Sequence, residues 1–220
     1  MTGNLAIEAV IFDMDGLMLD TEPIAQAAWQ RAFAEMGFTM DERDYLRVVG
    51  RALPDVARIF SKVLGPTFDF AQAQALRERY FQAQVAAHGI PVKPGLRELL
   101  DWLDARGIAK AVASSTGRAG VLARLDLTGL RARFPVLVGG DEVTRSKPAP
   151  DIFLRAAEQL GHAPPRCMVL EDSESGIQAA RAAGMLPVMV PDLKPPTPAT
   201  RAMAYRVLAS LREVPALLRE

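Results

Sequence analysis

Residues 7 to 16 read Ile7-Glu8-Ala9-Val10-Ile11-Phe12-Asp13-Met14-Asp15-Gly16, an apolar run that stops at two nearby carboxylates and then a glycine. Val10, Ile11 and Phe12 suit a strand buried on both faces, as strands of parallel sheets are, and ligands of such sheets bind just beyond the carboxyl ends of the strands. Asp13 and Asp15 therefore stand at the expected mouth of a site. Two carboxylates this close repel each other unless a cation lies between them or one of them carries a proton. A Mg²⁺ ion and an acid–base role would relieve both conflicts. A plain turn is the other reading of the same residues, since Asp and Gly commonly follow any strand.

Three more apolar runs end in polar clusters in the same way. Ile108 to Ala113 leads into Ser114-Ser115-Thr116-Gly117. Phe134 to Val138 leads into Gly139-Gly140-Asp141, with Ser146-Lys147-Pro148 shortly after, and Cys167 to Leu170 leads into Glu171-Asp172-Ser173. Carboxylates, hydroxyls and one lysine gathered at four strand ends are what holding a phosphate beside a metal ion requires.

From Pro94 onward, helical and strand-like segments alternate: helix 95–106, strand 109–114, helix 118–127, strand 134–138, helix 150–160, strand 167–171, helix 175–184 and strand 186–190. Alternation of this kind predicts an α/β fold, a parallel doubly wound sheet with helices on both faces. Between the first strand and this array, Glu22–Met36, Pro54–Leu64 and Ala71–Ala87 place Trp29, Phe33, Phe60 and Phe81 near helical spacing. The spacing predicts a small helical domain over residues 20–91, inserted into a core of residues 1–19 and 92–220 and standing over its carboxyl edge. Linkers near 17–22 and 89–95 would act as hinges. Pro191 to Thr200, rich in proline, reads as an exposed loop.

Lys plus Arg and Asp plus Glu both total 26, so the formal charge is zero, and no broad attraction for nucleic acid or an anionic membrane is expected. Half of the 220 residues are apolar, enough for one sizeable core or a core plus a small second domain. Met1 to Glu8 lack the pattern of a secretory leader, and no window approaches a membrane span, so a cytoplasmic monomer is the expectation. The single Cys167 cannot form an internal disulfide and, set in Cys167-Met168-Val169-Leu170, reads as a buried strand residue. His88 and His162, near glycines, read as surface or capping residues.

Four segments now carry a resemblance: IFDMDGLMLDTE at 11–22, VASST at 112–116, SKPAPDIF at 146–153 and LEDSESGIQAARAAG at 170–184. In this order and at these intervals they resemble the four motifs of the haloacid dehalogenase-like hydrolases. More narrowly, they are similar to the phosphatase and β-phosphoglucomutase branch, which carries a small helical cap after the first motif. The resemblance spans about residue 7 to 191 and implies a Rossmann-like core and Mg²⁺. It implies that Asp13 attacks phosphorus to form an aspartyl phosphate. Asp15 would protonate the leaving alcohol, later activate water, and offer its backbone carbonyl to the metal. Asp172 would complete the metal shell with Asp13, and Glu171 would bind it directly or through water; acids opening a helix are the alternative reading of both. Ser114 would donate to a phosphoryl oxygen, the amide of Ser115 and the helix start beyond Gly117 would face the anion, and Lys147 would neutralise Asp13 and the phosphoryl group. Glu22, Gln26 and Arg51 of the insert would face the substrate, a small phosphorylated metabolite.

The family's mutases carry a cap-hinge histidine a few residues after the Asp-Thr pair, a place that falls here on Ala25, and a cap arginine where this chain has Leu53. Both departures favour hydrolysis over phosphoryl return to a sugar. The end of the last motif, AAGMLPVMVPD at 182–192, also resembles pseudouridine-5′-phosphatase relatives. A receiver-like phosphoacceptor module is the alternative of another class, but receivers need neither a helical insert nor an acid at position 15.

Overall fold

The structure is a computed structural model that describes residues 7–49, 53–65 and 67–218. It divides into two compact units, one running to Leu19 and resuming at Val92, the other Asp20–Pro91.

The first unit is built on six parallel strands, β1 (Ala9–Phe12), β2 (Ala109–Ser114), β3 (Val136–Gly139), β4 (Cys167–Glu171), β5 (Leu186–Met189) and β6 (Arg206–Val207), in the order β3-β2-β1-β4-β5-β6. The strand that opens the chain is thus central, flanked by β2 and β4. Side chains alternate across a strand, so Ala9 and Ile11 face one side and Val10 and Phe12 the other, and all four are fully buried. The α/β doubly wound reading of the sequence holds.

In the second unit lie α1 (Glu22–Glu35), α2 (Glu42–Val48), α3 (Leu53–Leu64) and α4 (Phe70–His88). The helices of the first unit are α5 (Leu96–Asp104), α6 (Arg118–Leu127), α7 (Asp151–Leu160), α8 (Glu174–Ala182), α9 (Pro198–Met203) and α10 (Val214–Leu217). Ala9, Ile11, Ala111, Ala113 and Val169 form one core cluster with Ile152, Phe153 and Ala156 of α7 and Ala179 and Ala180 of α8. On the opposite face Phe12 meets the ring of Phe134 edge-on at 5.6 Å. Among the described residues no helix is long and apolar enough to cross a membrane.

The second unit has its own aromatic core. Phe33 lies edge-on to Phe60 at 4.9 Å and to Phe68 at 5.2 Å, with Trp29 and Phe81 buried beside them. The sequence reading leaves out α2, whose buried residues are Tyr45 and Val48 and whose start is capped by the Asp41 carboxylate accepting from the Asp44 amide at 2.8 Å. The expected exposed loop at 191–200 holds as far as Thr197 and is corrected beyond it: Pro198 opens α9, the Thr197 hydroxyl accepts from the Thr200 amide at 3.1 Å, and Thr200 is fully buried.

Candidate active site

Phe12 is in register with Val112 on one side and Leu170 on the other, so Asp13 leaves the sheet between the ends of β2 and β4. Its amide still donates to Leu170 O at 3.0 Å, which anchors the residue at its backbone. Lys147, from the loop after β3, reaches the same point. Its ammonium donates to Asp13 Oδ1 at 2.5 Å, to Glu171 Oε1 at 2.6 Å and to Ala113 O at 3.2 Å, and it sits 4.8 Å from the centre of the Phe153 ring. Three donor hydrogens meet three acceptors. Asp13 Oδ2 is left without a hydrogen bond among the described residues.

All three charged groups are buried, at 7% exposure for Asp13, 8% for Lys147 and none for Glu171. Burial lifts the Asp13 carboxyl above the ordinary carboxylate range; Lys147 pulls it back, and the Glu171 and Asp15 carboxylates push it up again. Burial acts the other way on the Lys147 ammonium, but the carboxylates of Asp13 and Glu171 override it and hold its pKa above the usual lysine value. The lysine therefore stays charged while serving two acids. The cluster has more negative than positive charge, an imbalance that a further cation would correct.

Asp172 and the loop of Asp15 approach closely because residue 16 is a glycine. Gly16 has φ +84°, and a Cβ there would stand 2.4 Å from Asp172 Oδ2 and 3.4 Å from Asp192 Oδ2. Asp192 Oδ1 accepts from Lys93 at 2.6 Å, whereas Oδ2 is buried with no hydrogen-bond partner among the described residues. A buried acceptor left unpaired is costly. A water held on a cation beside Asp13 and Asp172 would supply the missing donor. Among the described residues no group of three or more His, Cys, Asp or Glu side chains is arranged as a metal cage. Two carboxylates and a backbone carbonyl suit Mg²⁺ better, because that ion retains several of its waters.

Asp15 is partly buried and held at both oxygens. Thr116 Oγ1 donates to its Oδ2 at 2.8 Å, and the guanidinium of Arg124 to its Oδ1. Ser114, 1% exposed at the end of β2, accepts the Thr116 amide on its hydroxyl oxygen at 3.1 Å, so its own proton remains available to a ligand.

Residues 7–184 match the haloacid dehalogenase-like hydrolase family. The chain belongs to that family. It is 35% identical over 179 residues to the phosphorylated carbohydrates phosphatase of Thermotoga maritima, covering 81% of this chain and 82% of that one. It is 34% identical over 176 residues to the fructose-1-phosphate phosphatase YqaB of Escherichia coli, covering 80% and 92%. Among solved structures, CbbY from Rhodobacter sphaeroides in complex with phosphate superposes with a TM-score of 0.80 at 29% identity, over 94% of this chain and 96% of that one. The chain is therefore an enzyme, a hydrolase of the haloacid dehalogenase-like family, in a branch whose relatives bear phosphatase names.

Within the family's four motifs the structure brings Asp13, Lys147 and Glu171 into direct contact and sets Asp172 against the loop carrying Asp15. Glu171 is fully engaged: Oε1 takes Lys147, and Oε2 accepts the Ser173 amide at 2.9 Å and hydroxyl at 2.8 Å. It closes on the first turn of α8, where a Cβ at Gly176 would fall 1.8 Å from the Glu171 carboxyl carbon. Gly176→Ala is accordingly expected to lower stability by ~1–3 kcal/mol through overpacking. Urea denaturation checks this, and an unchanged midpoint would mean that the carboxyl moves aside freely.

One expectation changes at the second motif. The amide at the start of α6 was expected to face a bound anion, but the Arg118 N–H donates to Asp141 Oδ1 at 2.8 Å, and the Thr116 N–H is taken by Ser114. Ser115 is exposed beside them. In the second unit, Glu22 Oε2 accepts from the Tyr45 hydroxyl at 2.6 Å, and Arg51 lies outside the described residues. Sequence reasoning missed Thr116 and Arg124. A threonine before a helix reads as a cap, and an arginine within one reads as a solvated face. Cys167, by contrast, is fully buried in β4, with burial and the Glu8 carboxylate lifting its thiol to about 11, which suits a packing residue.

Proposed function

We propose that this enzyme is a Mg²⁺-dependent phosphatase that hydrolyses a small phosphorylated metabolite, a sugar phosphate or nucleotide-derived monophosphate, through an aspartyl phosphate on Asp13. The observation that carries the reading is the state of Asp13, with Oδ1 fixed by a buried lysine and Oδ2 free of hydrogen bonds among the described residues, at the carboxyl end of the central strand. The phosphatase names of two relatives, one for phosphorylated carbohydrates and one for fructose 1-phosphate, support the substrate class.

Asp13 Oδ2 attacks phosphorus, the P–O bond to the alcohol breaks, and the leaving oxygen takes a proton from Asp15. The Ser114 hydroxyl donates to a phosphoryl oxygen during transfer, and the Lys147 ammonium, its hydrogens held by Asp13, Glu171 and Ala113 O, offsets the phosphoryl charge. Asp15, now ionised, takes a proton from water, whose oxygen displaces the Asp13 carboxylate from phosphorus and releases inorganic phosphate. Asp13, Asp172 and the backbone carbonyl of Asp15 would hold Mg²⁺, which when bound screens the negative charges of nucleophile and phosphate from each other. Ala25 in α1 offers no ionisable group, so hydrolysis is favoured over mutase chemistry. Choice among phosphate esters is assigned to the Asp20–Pro91 unit.

A phosphate-release screen over many metabolites tests the reading. Turnover is expected with Mg²⁺, to vanish with excess EDTA and to return when Mg²⁺ is restored. Full turnover in EDTA would remove the metal from the mechanism.

A further inference from the structure

Arg124 stands out among residues to which the mechanism above gives no role. It lies on α6 one turn from Val121 and next to Leu125, both fully buried, so its stem is on the inward side of the helix. Its side chain is 14% exposed, and a guanidinium that far out of water needs a partner. Asp15, the acid–base group, is such a partner. Arg124 Nη1 donates to Asp15 Oδ1, and the same nitrogen lies 3.3 Å from Thr116 Oγ1, which bonds the other oxygen of Asp15 at 2.8 Å. The three side chains close a triangle around one carboxyl.

We propose that Arg124 is the positioning residue of Asp15, fixing the carboxyl so that Oδ2 is the oxygen that exchanges a proton with the leaving alcohol and with water. The proposal rests on the phosphatase reading given above. Its chemical basis is an asymmetry between the two partners. A guanidinium only donates, so Oδ1 beside it is kept as an acceptor throughout the reaction. A threonine hydroxyl both donates and accepts, so it can face Oδ2 whether or not that oxygen carries hydrogen. In the first half-reaction the proton on Oδ2 passes to the oxygen leaving phosphorus as the bond to Asp13 forms. In the second, Oδ2 takes a proton from the attacking water, and Asp13 leaves as a carboxylate.

A residue that acts through the proton donor matters in proportion to how much the leaving group needs a proton. Three phosphate monoesters of one ring, p-nitrophenyl, phenyl and benzyl phosphate, set that need from low to high. The quantity to compare is kcat/KM, which reports the steps through the first alcohol release and so excludes hydrolysis of the aspartyl phosphate. Arg124→Met is expected to reduce kcat/KM for benzyl phosphate by about 100-fold or more, the usual scale of acid catalysis. For p-nitrophenyl phosphate the loss is expected to be roughly ten times smaller, with phenyl phosphate between them. Arg124→Lys should show the same trend more weakly, and it carries the test if Arg124→Met does not fold. A loss that is equal for all three esters, or no loss, in a variant with a cooperative thermal transition overturns the proposal. Wild type and Asp13→Asn run alongside separate the two failures. Wild-type turnover of none of the esters, or turnover that survives in Asp13→Asn, brings down the phosphatase mechanism and the proposal with it. An active wild type, an inactive Asp13→Asn and a uniform loss in Arg124→Met bring down the role of Arg124 alone.

Discussion

Asp13→Asn is expected to abolish turnover, by on the order of 10³-fold or more, while leaving the protein folded. The amide oxygen is a poor nucleophile toward phosphorus, so the covalent route closes. The fold should tolerate the change because of the charge balance around Lys147. Two buried carboxylates share that ammonium, and the burial that lifts the Asp13 carboxyl marks its ionised form as the less comfortable member of the pair. A neutral side chain of the same shape leaves Lys147 matched one to one with Glu171. The urea midpoint of the metal-free protein should therefore hold or rise. Phosphate release measured beside that midpoint separates chemistry from folding, and near wild-type turnover in the variant would rule out an aspartyl phosphate at this position.

Lys147→Met acts in the opposite sense. It leaves Asp13 and Glu171 buried against each other with their ammonium gone, and breaking a buried ion pair from one side costs ~3–5 kcal/mol. That is a large share of the roughly 5–15 kcal/mol that holds a typical domain together. Denaturation should begin at clearly lower urea, and phosphoryl transfer should fall as well, because the proposed role of Lys147 includes offsetting the charge of the phosphoryl group. Adding Glu171→Gln to Lys147→Met should recover much of the stability and little of the activity. If the single variant denatures like wild type, the three-way contact contributes nothing to the fold.

The sheet was legible because its strands announce themselves chemically. Ala9–Phe12 and Cys167–Glu171 are apolar runs ending in acids, and the structure sets them side by side. Strand boundaries were less readable: Phe134, expected within a strand, precedes β3 and serves as an aromatic floor under Phe12. Helix α2 escaped because four of its seven residues are charged and its contribution to the core comes from two side chains, which is too few for a helical period to register. At the site, Asp13 and Lys147 could be named from the pattern. The clamp on Asp15 could not, because Arg124 and Asp15 are 109 residues apart and nothing local distinguishes an arginine that turns inward from one that faces water. The carboxylate of Asp141 was hidden for the same reason, since it reaches the start of α6 from a loop two elements away.

The central position of β1 bears on how the enzyme comes into being. Asp13, the proposed nucleophile, is synthesised before the groups it meets: its lysine follows 134 residues later, and Glu171 and Asp172 stand at the end of a strand beyond that. A nascent chain on the ribosome, or a fragment truncated before Lys147, holds the attacking group without its counter-charge. In the proposed mechanism, competence thus arrives only once β4 lies beside β1, and copies that stop short of it have no means of consuming phosphate esters.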